Sequence, residues 1–371
     1  MYGRVVLIGA GHAHLHIAAH AARFRRRGAE LVLVAPDAFW YSGLATGMLG
    51  AQYEPELDRI DARELIEGAG GRFVRGRAVG LDRQRRRVLL QDGSSLAYDA
   101  ASFNVGSEPI IEPWAADVEG VWPAKPIRGL VELRRELEET FTGAARDSPA
   151  RRLLVVGGGA TGCEIAANLD ALARKHGAEP CVTLATADDR LLTRWGVSAS
   201  RRLQRYLVGR GIEIALEASV CAIEPGVAIA RDGRRFGWDR LVLATGLRPP
   251  VWLKRLGVEL GPLGGLRVDA SLRSVSDPRI FGAGDCISLV GHDLPMLGVY
   301  AVREASVLLQ NLLAAIDGGS GTEYEPQKRC LTILNLGLGY GLALWDGFHW
   351  LGPAAVWLKD AIDRRFLSRY R

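Results

Sequence analysis

Two segments of the chain share one pattern of apolar and polar positions. Each opens with an apolar run, VVLI from Val5 or LLVV from Leu153, then passes through glycines into an Ala-rich stretch and a second apolar run. Continuous apolar runs are typical of parallel strands that are buried on both faces. The pattern therefore predicts two strand–turn–helix–strand units.

The glycines of each turn have the spacing of a dinucleotide-binding unit. The second unit carries Gly157, Gly159 and Gly162, whereas the first has Gly9 and Gly11 and then a histidine, at position 14, where a third glycine is usual. Such glycines permit a tight turn and a close approach of the backbone to a pyrophosphate at the start of a helix. The side chain at position 14 must therefore tuck in or displace a neighbour.

Both units are followed by matching tails. FNVGSEP in the first copy contains Asn104 and Gly106, and LATGLRP in the second contains Thr245 and Gly246. A repeat that extends over a whole domain length indicates a duplicated fold. The predicted class is α/β, with two Rossmann-like three-layer dinucleotide-binding domains and a small C-terminal β/α cap.

Composition narrows the function classes. The net charge is +5, and only five of the 47 basic residues are lysines. The arginines are spread along the chain, so no nucleic-acid site is expected. The five cysteines include no CxxC pair and no leader is visible, so we expect reduced thiols and a cytoplasmic protein. The most apolar stretch, residues 331–357, is interrupted by polar residues and is a poor transmembrane candidate.

A third motif is FGAGDC at residues 281–286. Together with the two glycine units it resembles the pyridine nucleotide-disulfide oxidoreductase superfamily, whose members carry one FAD domain and one NAD(P) domain. GHAHL, YSG, AKPI, GVYAVR and WLKDAIDRRF are similar to the flavoprotein domain that some bacteria fuse to selenophosphate synthase. The chain is more distantly similar to type II NADH dehydrogenases.

The resemblance implies a domain plan and two sets of binding residues. It implies an FAD domain at residues 1–112 and 247–325, an NAD(P) domain at 113–246, and a cap with an amphipathic helix at 326–371. The implied FAD contacts are Gly9, Gly11, His12, His14, Ala35, Ser42, Val79, Asn104, Gly106, Gly284, Asp285, Gly298 and Val299. The implied NADH or NADPH contacts are Gly157, Gly159, Thr161, Gly162, Thr186, Thr245 and Gly246.

The nucleotide preference stays open. An acid after the second strand commonly holds the ribose, but Ala35 and Thr186 occupy those positions. Asp188 and Asp189 favour NADH, while the adjacent Arg190 would suit NADPH.

Two charged residues are candidates for the chemistry. By resemblance, Glu164 faces the meeting point of flavin and nicotinamide, where it shapes the local charge or carries a proton. Its alternative role is to complement the dipole of its helix. By resemblance, Lys125 lies near the flavin ring and stabilises negative charge there. Its alternative role is that of a solvated linker residue.

Histidines recur at four-residue spacing at His12, His16 and His20. This spacing can share a metal on one helix face, but no Cys or carboxylate cluster completes a site. No metal is predicted, and phosphate binding with packing is the favoured role.

The absence of a cysteine pair shapes the expected mechanism. Residues 42–50, where a disulfide reductase would carry its redox pair, contain no cysteine, so direct hydride transfer from NAD(P)H is expected. The leading function is an FAD-dependent NAD(P)H:acceptor oxidoreductase with a small-molecule acceptor. The alternatives are an enzyme acting on a selenium or sulfur species and a flavin-binding sensor or interaction protein with little turnover.

The carboxyl-terminal region bears on the acceptor. A hairpin at Asp346-Gly347 precedes a helix from Pro353, whose stripe of Leu358, Ile362 and Phe366 sits among basic residues. Such a helix can lie on the inner face of the cytoplasmic membrane, as in type II dehydrogenases, or pack on its own domain or a homodimer partner. Quinone is one candidate acceptor, although Arg303 and Glu304 replace the paired glutamines of those enzymes.

Overall fold

The computed structural model describes residues 3–143, 151–179 and 181–371. Residues 1 and 2 of the first predicted domain, and residues 144–150 and 180 of the second, lie outside the described residues. The described helices are α1 His12–Ala18, α2 Ala21–Arg25, α3 Ala45–Leu49, α4 Ala62–Gly68, α5 Ile127–Gly143, α6 Ala160–Lys175, α7 Val197–Gly209, α8 Gly298–Asp317 and α9 Pro353–Leu367.

The strands of the first half of the described chain are β1 Arg4–Ile8, β2 Glu30–Ala35, β3 Phe39–Trp40, β4 Arg59–Ile60, β5 Arg72–Arg75, β6 Ala78–Asp82, β7 Arg87–Leu90, β8 Ser95–Ala97, β9 Ala100–Phe103, β10 Glu108–Pro109, β11 Val121–Pro123, β12 Arg152–Val156 and β13 Cys181–Ala185. Those of the second half are β14 Glu213–Ala215, β15 Val220–Glu224, β16 Val227–Ala230, β17 Arg235–Gly237, β18 Arg240–Leu243, β19 Leu247–Arg248, β20 Leu266–Val268, β21 Ile280–Gly282, β22 Ile287–Leu289, β23 Thr332–Asn335, β24 Gly341–Trp345 and β25 Phe348–Gly352.

The first apolar run forms the centre of a parallel sheet. β1 lies between β2 and β9 in a sheet of order β21-β9-β1-β2-β5, with Val5 opposite Leu31 and Ala100. Val5 and Leu7 are fully buried because helices cover both faces, as a run without polar alternation predicts. The carboxyl ends of these strands meet at one edge of the sheet, where the glycine turn and the GD motif follow.

The second apolar run forms the centre of a second parallel sheet, of order β11-β18-β12-β13-β14. Its strands come from residues 121–243, between the strands β9 and β21 that the first sheet pairs. The antiparallel pair β10–β19, with Glu108 opposite Arg248, joins the two regions where the chain passes between them. The α/β class with two dinucleotide-type parallel sheets is therefore confirmed.

Helix α8 is the one helix of the described residues that is long and apolar enough to cross a membrane. Half of its most apolar window is buried inside the protein, where the helix packs along α1. Its composition therefore fits a core helix of the first domain.

The cap is a three-stranded antiparallel sheet followed by α9. Strands β24 and β25 form the predicted hairpin, with Trp345 opposite Phe348 and both Asp346 and Gly347 at positive φ. Helix α9 begins at Pro353, a residue suited to the first helical turn, and packs on β23 and β24.

Candidate active site

Asn104, at the carboxyl end of β9, organises the first glycine turn. Its Oδ1 accepts the N–H of Ala13 at 3.0 Å, its backbone oxygen accepts the N–H of Gly11, and its Nδ2 donates to the Ala283 carbonyl at 2.6 Å. A Cβ on Gly11 would lie 2.3 Å from Asn104 Oδ1, and Gly9 has a φ of +87°. Both glycines are thus required by the protein's own packing as well as by a bound pyrophosphate.

His14 takes the place of the usual third glycine by tucking into the core. Its side chain is fully buried, with Nδ1 2.6 Å from the Gly9 oxygen and Nε2 2.8 Å from Ser102 Oγ. Burial lowers the His14 pKa to about 4, so the ring is neutral at pH 7. Since the Gly9 oxygen can only accept, Nδ1 donates to it and Nε2 accepts from the serine hydroxyl.

This geometry corrects one prediction. We expected His14 to contact the cofactor, but both of its ring nitrogens bond to protein atoms and none of its surface is exposed. The residue instead fixes the glycine turn against β9. Ser102, 88 residues away, has no signal in the sequence that marks it as the partner.

A charged cluster lies beside the turn. Lys125 Nζ donates to Ser107 Oγ at 2.9 Å and lies 3.4 Å from Asp285 Oδ2, and the Ser107 hydroxyl donates to that carboxylate at 2.6 Å. Both charged side chains keep part of their surface exposed. Lys125 is therefore held beside Asp285, a predicted FAD contact, and is not a solvated linker residue.

The His12 ring packs against three aromatic side chains. Its ring centroid lies 4.9 Å from that of Phe39, 5.6 Å from that of Tyr41 and 5.4 Å from that of Phe366. Burial lowers the His12 pKa to about 4, with Lys125 acting in the same direction and Asp285 opposing it. His12 is thus a neutral ring between the glycine turn and α9.

The prediction of three histidines on one helix face is wrong for His20. Helix α1 ends at Ala18, and His20 lies at the start of α2, where its Nδ1 bonds to the His16 carbonyl. His16 faces Tyr370. Within the described residues no group of three or more His, Cys, Asp or Glu side chains is arranged to hold a metal.

The second glycine turn is built for close packing. A Cβ on Gly162 would lie 1.8 Å from the Gly157 oxygen, and Gly157 has a φ of +125°. Gly159 starts α6 without a side-chain cap, and a Cβ there would meet open space. The free N–H groups of this helix start suit a pyrophosphate.

Thr186 directly follows β13, and its side chain is turned inward. It is buried, its Oγ1 accepts the Asp188 N–H, and a Cβ on Gly158 would lie 2.7 Å from it. The exposed side chains after this strand are those of Asp188 and Asp189, with Arg190 beside Asp189. The structure therefore leaves the choice between NADH and NADPH open.

The remaining predicted contacts are placed less tightly. Thr161 is exposed on the first turn of α6, and Thr245 donates its hydroxyl to the Ile110 carbonyl beside Gly246. Ala35 is buried at the end of β2. Among the other predicted contacts, Gly284 lies beside Asn104, and Gly298 begins α8 next to His12. Gly106 follows β9, Ser42 is exposed, and Val79 lies on β6, which belongs to a separate sheet.

Glu164 is fixed where three parts of the chain meet. Its Oε1 accepts the Asn335 N–H from β23 at 2.7 Å and the Thr46 hydroxyl from α3 at 3.2 Å. Burial raises the pKa of Glu164, while the charge of Lys359 and the two hydrogen bonds oppose that shift. A role limited to the helix dipole does not account for these contacts from outside α6.

A polar group on the inner face of α9 was not predicted. Lys359 Nζ lies 2.7 Å from Asp363 Oδ2 and also donates to the Gly43 carbonyl, and Tyr41 donates its hydroxyl to Asp363 Oδ1 at 2.8 Å. The sequence signal is a Lys and an Asp four residues apart on a helix, which usually marks an exposed pair.

Lys359 and Asp363 border a cavity of about 290 Å³ between α8 and α9. Its wall contains charged, thiol and apolar side chains: Val299, Arg303, Gln327, Arg329, Cys330, Leu331, Ile333, Lys359, Ile362 and Asp363. Val299 was predicted to touch FAD, so the cavity adjoins the predicted flavin region. A small molecule can therefore reach the inner face of α9.

Comparison with known proteins identifies the family. Residues 3–305 match the family described as pyridine nucleotide-disulphide oxidoreductase. The chain belongs to this family.

Individual relatives agree with that assignment. An NADH dehydrogenase-like protein of Mycobacterium tuberculosis is 31% identical over 292 residues, which cover 76% of this chain and 72% of the relative. A nitric oxide reductase FlRd-NAD(+) reductase of Vibrio vulnificus is 28% identical over 333 residues, 83% of this chain and 78% of the relative. The fold matches the sulfide:quinone oxidoreductase of Aquifex aeolicus, with a TM-score of 0.83 at 17% identity, over 100% of this chain and 91% of that one.

Membership of the pyridine nucleotide-disulphide oxidoreductase family makes the protein an FAD- and NAD(P)H-dependent oxidoreductase. The two turns fit such cofactors, since the positions where a Cβ would clash are glycines and the start of α6 is uncapped. The family name refers to a disulphide, but all five cysteines of this chain are free in the structure. Burial raises the pKa of Cys163 and, to about 12, that of Cys286, which disfavours the reactive thiolate form.

Proposed function

We propose that the protein oxidises NADH or NADPH and reduces a quinone that binds in the cavity between α8 and α9. The observation that carries this proposal is the inward-facing Lys359 and Asp363 in the wall of that cavity, next to Val299 at the start of α8. Hydride transfer from the nicotinamide and electron transfer to the acceptor are the chemistry that FAD supplies when it is bound. The protein's own residues have to bind the reactants and move protons.

Glu164 serves the nucleotide side of this reaction. Its Oε1 is held by Asn335 and Thr46, and its pKa is raised by burial, so it can hold a proton at a pH where an exposed carboxyl is ionised. Lys125, held beside Asp285, places a positive charge near the predicted flavin position.

Lys359 serves the acceptor side. A quinone that gains an electron pair takes up two protons, and the Lys359 ammonium borders the cavity that would hold it. Arg303 and Arg329 add positive charge to the same wall, which favours the negative charge that develops on a quinone oxygen.

The mouth of the cavity adjoins an apolar surface. Leu331 and Ile362 line the cavity and are themselves 36% and 47% exposed. Around them lies a set of exposed side chains on the hairpin and α9, which we call the aromatic rim: Trp345, Phe348, Trp350, Trp357 and Leu358. Exposed aromatic side chains on this scale mark an interaction surface.

In this proposal the aromatic rim contacts the cytoplasmic face of a membrane. Phe348 and Trp357 are each 71% exposed, and the exposed Arg365 and Arg369 follow on the same helix and tail. Aromatic and cationic side chains together suit the headgroup region of an anionic bilayer, and an apolar quinone partitions into its interior.

Two measurements test the proposal. Anaerobic titration with NADH and then NADPH should bleach the flavin absorbance, and menadione should restore it with turnover. Lack of turnover with menadione and with ubiquinone-1, after normal bleaching, would refute quinone as the acceptor.

The surface is tested by pelleting the FAD-loaded protein with phosphatidylglycerol vesicles. The double variant Phe348→Glu, Trp357→Glu should lose at least about tenfold in vesicle binding, while Val208→Glu, exposed on α7, should bind as the wild type does. Unchanged pelleting would contradict membrane contact. Loss of a dimer in solution, with pelleting unchanged, would assign the rim to a homodimer instead.

A sulfur or selenium acceptor is the second candidate, because Cys330 lines the same cavity. Its thiol lies 3.3 Å from Gln327 Nε2 and is partly exposed. NADH-dependent turnover of glutathione persulfide that Cys330→Ser abolishes, without turnover of quinones, would favour this function.

A further inference from the structure

A chain of three side chains links the FAD-side segment after β3 to the acceptor cavity. Tyr41 donates its hydroxyl to Asp363 Oδ1 at 2.8 Å, and Asp363 Oδ2 lies 2.7 Å from Lys359 Nζ. The Lys359 and Asp363 side chains are 10% and 6% exposed, and Tyr41 is 8% exposed. Lys359 also donates to the Gly43 carbonyl, two residues from Tyr41.

Stability alone does not explain this arrangement. The inner face of α9 buries Ala355, Val356, Phe366 and Leu367, as expected for an amphipathic helix. It also turns Lys359 and Asp363 inward, while Leu358 and Ile362 stay at the surface. A buried ion pair contributes little net stability compared with apolar residues of the same size. The inward charges are accounted for if a ligand in the cavity meets them, because both residues line it.

Tyr41 is held rigidly enough to position its partner. Its ring stacks on Phe366 with centroids 4.7 Å apart and planes at 17°, and meets the edge of His12 at 5.6 Å. Its N–H donates to the Asp58 carbonyl at 2.7 Å. The Tyr41 hydroxyl therefore reaches Asp363 from a backbone position that is fixed outside α9.

We propose that Tyr41 and Asp363 are positioning residues that hold the Lys359 ammonium at the cavity wall as the proton donor to the bound acceptor. This inference rests on the proposed function. Quinone reduction needs two electrons and two protons: the nicotinamide hydride provides the electron pair and one proton, and the Lys359 N–H provides the second. The neutral amine then recovers a proton from water that enters the cavity.

Other titratable and charged groups also face Lys359. Glu164 on α6 and Asp58 beside β4 interact with its charge, as does Asp363 on its own helix, while Arg303 on α8 and Arg329 share the cavity wall. Asp363 is the one whose carboxylate is in direct contact with both the ammonium and a second buried donor. Removing the Tyr41 hydroxyl leaves Asp363 Oδ1 without that donor and frees the carboxylate to rotate away.

The test separates the two half-reactions in the FAD-loaded protein. Tyr41→Phe and Asp363→Asn are compared with Tyr53→Phe, which removes a hydroxyl from another buried tyrosine of the same region. Flavin bleaching by NADH should stay within about twofold of wild type. Reoxidation by menadione should slow at least about tenfold, since a positioned general acid contributes roughly 100-fold or more.

Ferricyanide provides the discriminating readout, because it accepts electrons without protons. Tyr41→Phe and Asp363→Asn should reoxidise with ferricyanide at the wild-type rate, and their menadione rates should depend on pH differently from wild type. Equal slowing with both oxidants, or menadione rates and pH profiles like those of wild type, would overturn the inference. A wild-type protein that bleaches with NADH but never reacts with quinones would instead refute the proposed function, and the inference with it.

Discussion

Asp58 offers a direct test of the electrostatics beneath α9. The residue is fully buried, and within the described residues neither carboxyl oxygen has a hydrogen-bond partner. Burial raises its pKa from 3.8 to about 8, with Asp363 acting in the same direction and Lys359 and Arg371 opposing it. Asp58 is therefore protonated in the folded protein at neutral pH, and Asp58→Asn replaces a neutral acid by a neutral amide of the same shape.

The sign of the pH dependence follows from linkage. Below pH 3.8 the folded and unfolded states both hold the proton, so the contribution of Asp58 to stability is fully present there. As the pH rises toward 8 only the folded state keeps the proton, and the free energy of unfolding falls by about 1.4 kcal/mol per pH unit. Between pH 5 and pH 8 the free energy of unfolding of the wild type should fall by about 3–4 kcal/mol because of Asp58. The Asp58→Asn variant should not show this decrease.

Urea unfolding of the FAD-loaded protein at pH 5, 6, 7 and 8 measures this difference. The stability of Asp58→Asn should depend less on pH than that of wild type, and the variant should gain most at pH 8. Glu67→Gln, which removes a carboxylate from an exposed position on α4, is the control and should follow wild type. If the curves of Asp58→Asn and wild type run parallel from pH 5 to pH 8, the carboxyl is not buried as a neutral acid and the reasoning fails.

Two further variants test the site. His14→Gly, which restores the usual third glycine, leaves the Gly9 oxygen and the Ser102 hydroxyl without partners and opens a cavity, so thermal unfolding should report a loss of about 3–5 kcal/mol and faster FAD release; unchanged stability would mean that the imidazole is not structural. Glu164→Gln keeps an oxygen for the Asn335 N–H but cannot ionise, so stopped-flow bleaching by NADH should lose the pH dependence that a carboxyl with a raised pKa gives to the wild type; a bleaching rate and pH profile like those of wild type would remove Glu164 from the mechanism.

The sheets and glycine turns were predictable because their signals are local. The run from Val5 and the run from Leu153 are apolar without alternation, as is typical of a strand covered on both faces, and each leads directly into a glycine turn. The need for close packing at Gly162 is likewise visible in the motif itself, and the structure places the Gly157 oxygen where a side chain would clash.

The partners of these residues were not predictable, because they are distant in sequence. The motif predicts that the His14 side chain tucks in or displaces a neighbour, but its partner Ser102 is set by the register of β1 against β9. The amide of Asn104 was predicted to contact FAD, yet its bonds to Ala13 and Ala283 depend on three strands ending at one edge.

Helix α9 shows most clearly what the sequence pattern could not predict. The predicted stripe of Leu358, Ile362 and Phe366 is divided in the structure: Phe366 is buried, and the other two are exposed. The face that turns inward carries Ala355, Val356, Phe366 and Leu367 together with Lys359 and Asp363. Spacing alone did not predict the two charged residues on this face, because Tyr41, whose hydroxyl donates to Asp363, lies more than 300 residues away.

The orientation of α9 also constrains how an acceptor arrives. Leu331 and Ile362 line the cavity and are exposed, and the exposed Arg303 and Arg329 line it beside them. In the proposed reaction the apolar body of a quinone contacts Leu331 and Ile362, and the cationic side chains are available to its oxygens. Ferricyanide is an anion without an apolar body, so it gains nothing from the two apolar side chains. Ile362→Asn, which removes apolar surface without adding a charge, should therefore raise the KM for ubiquinone-1 more than that for ferricyanide, and equal effects on both would refute this role of Ile362.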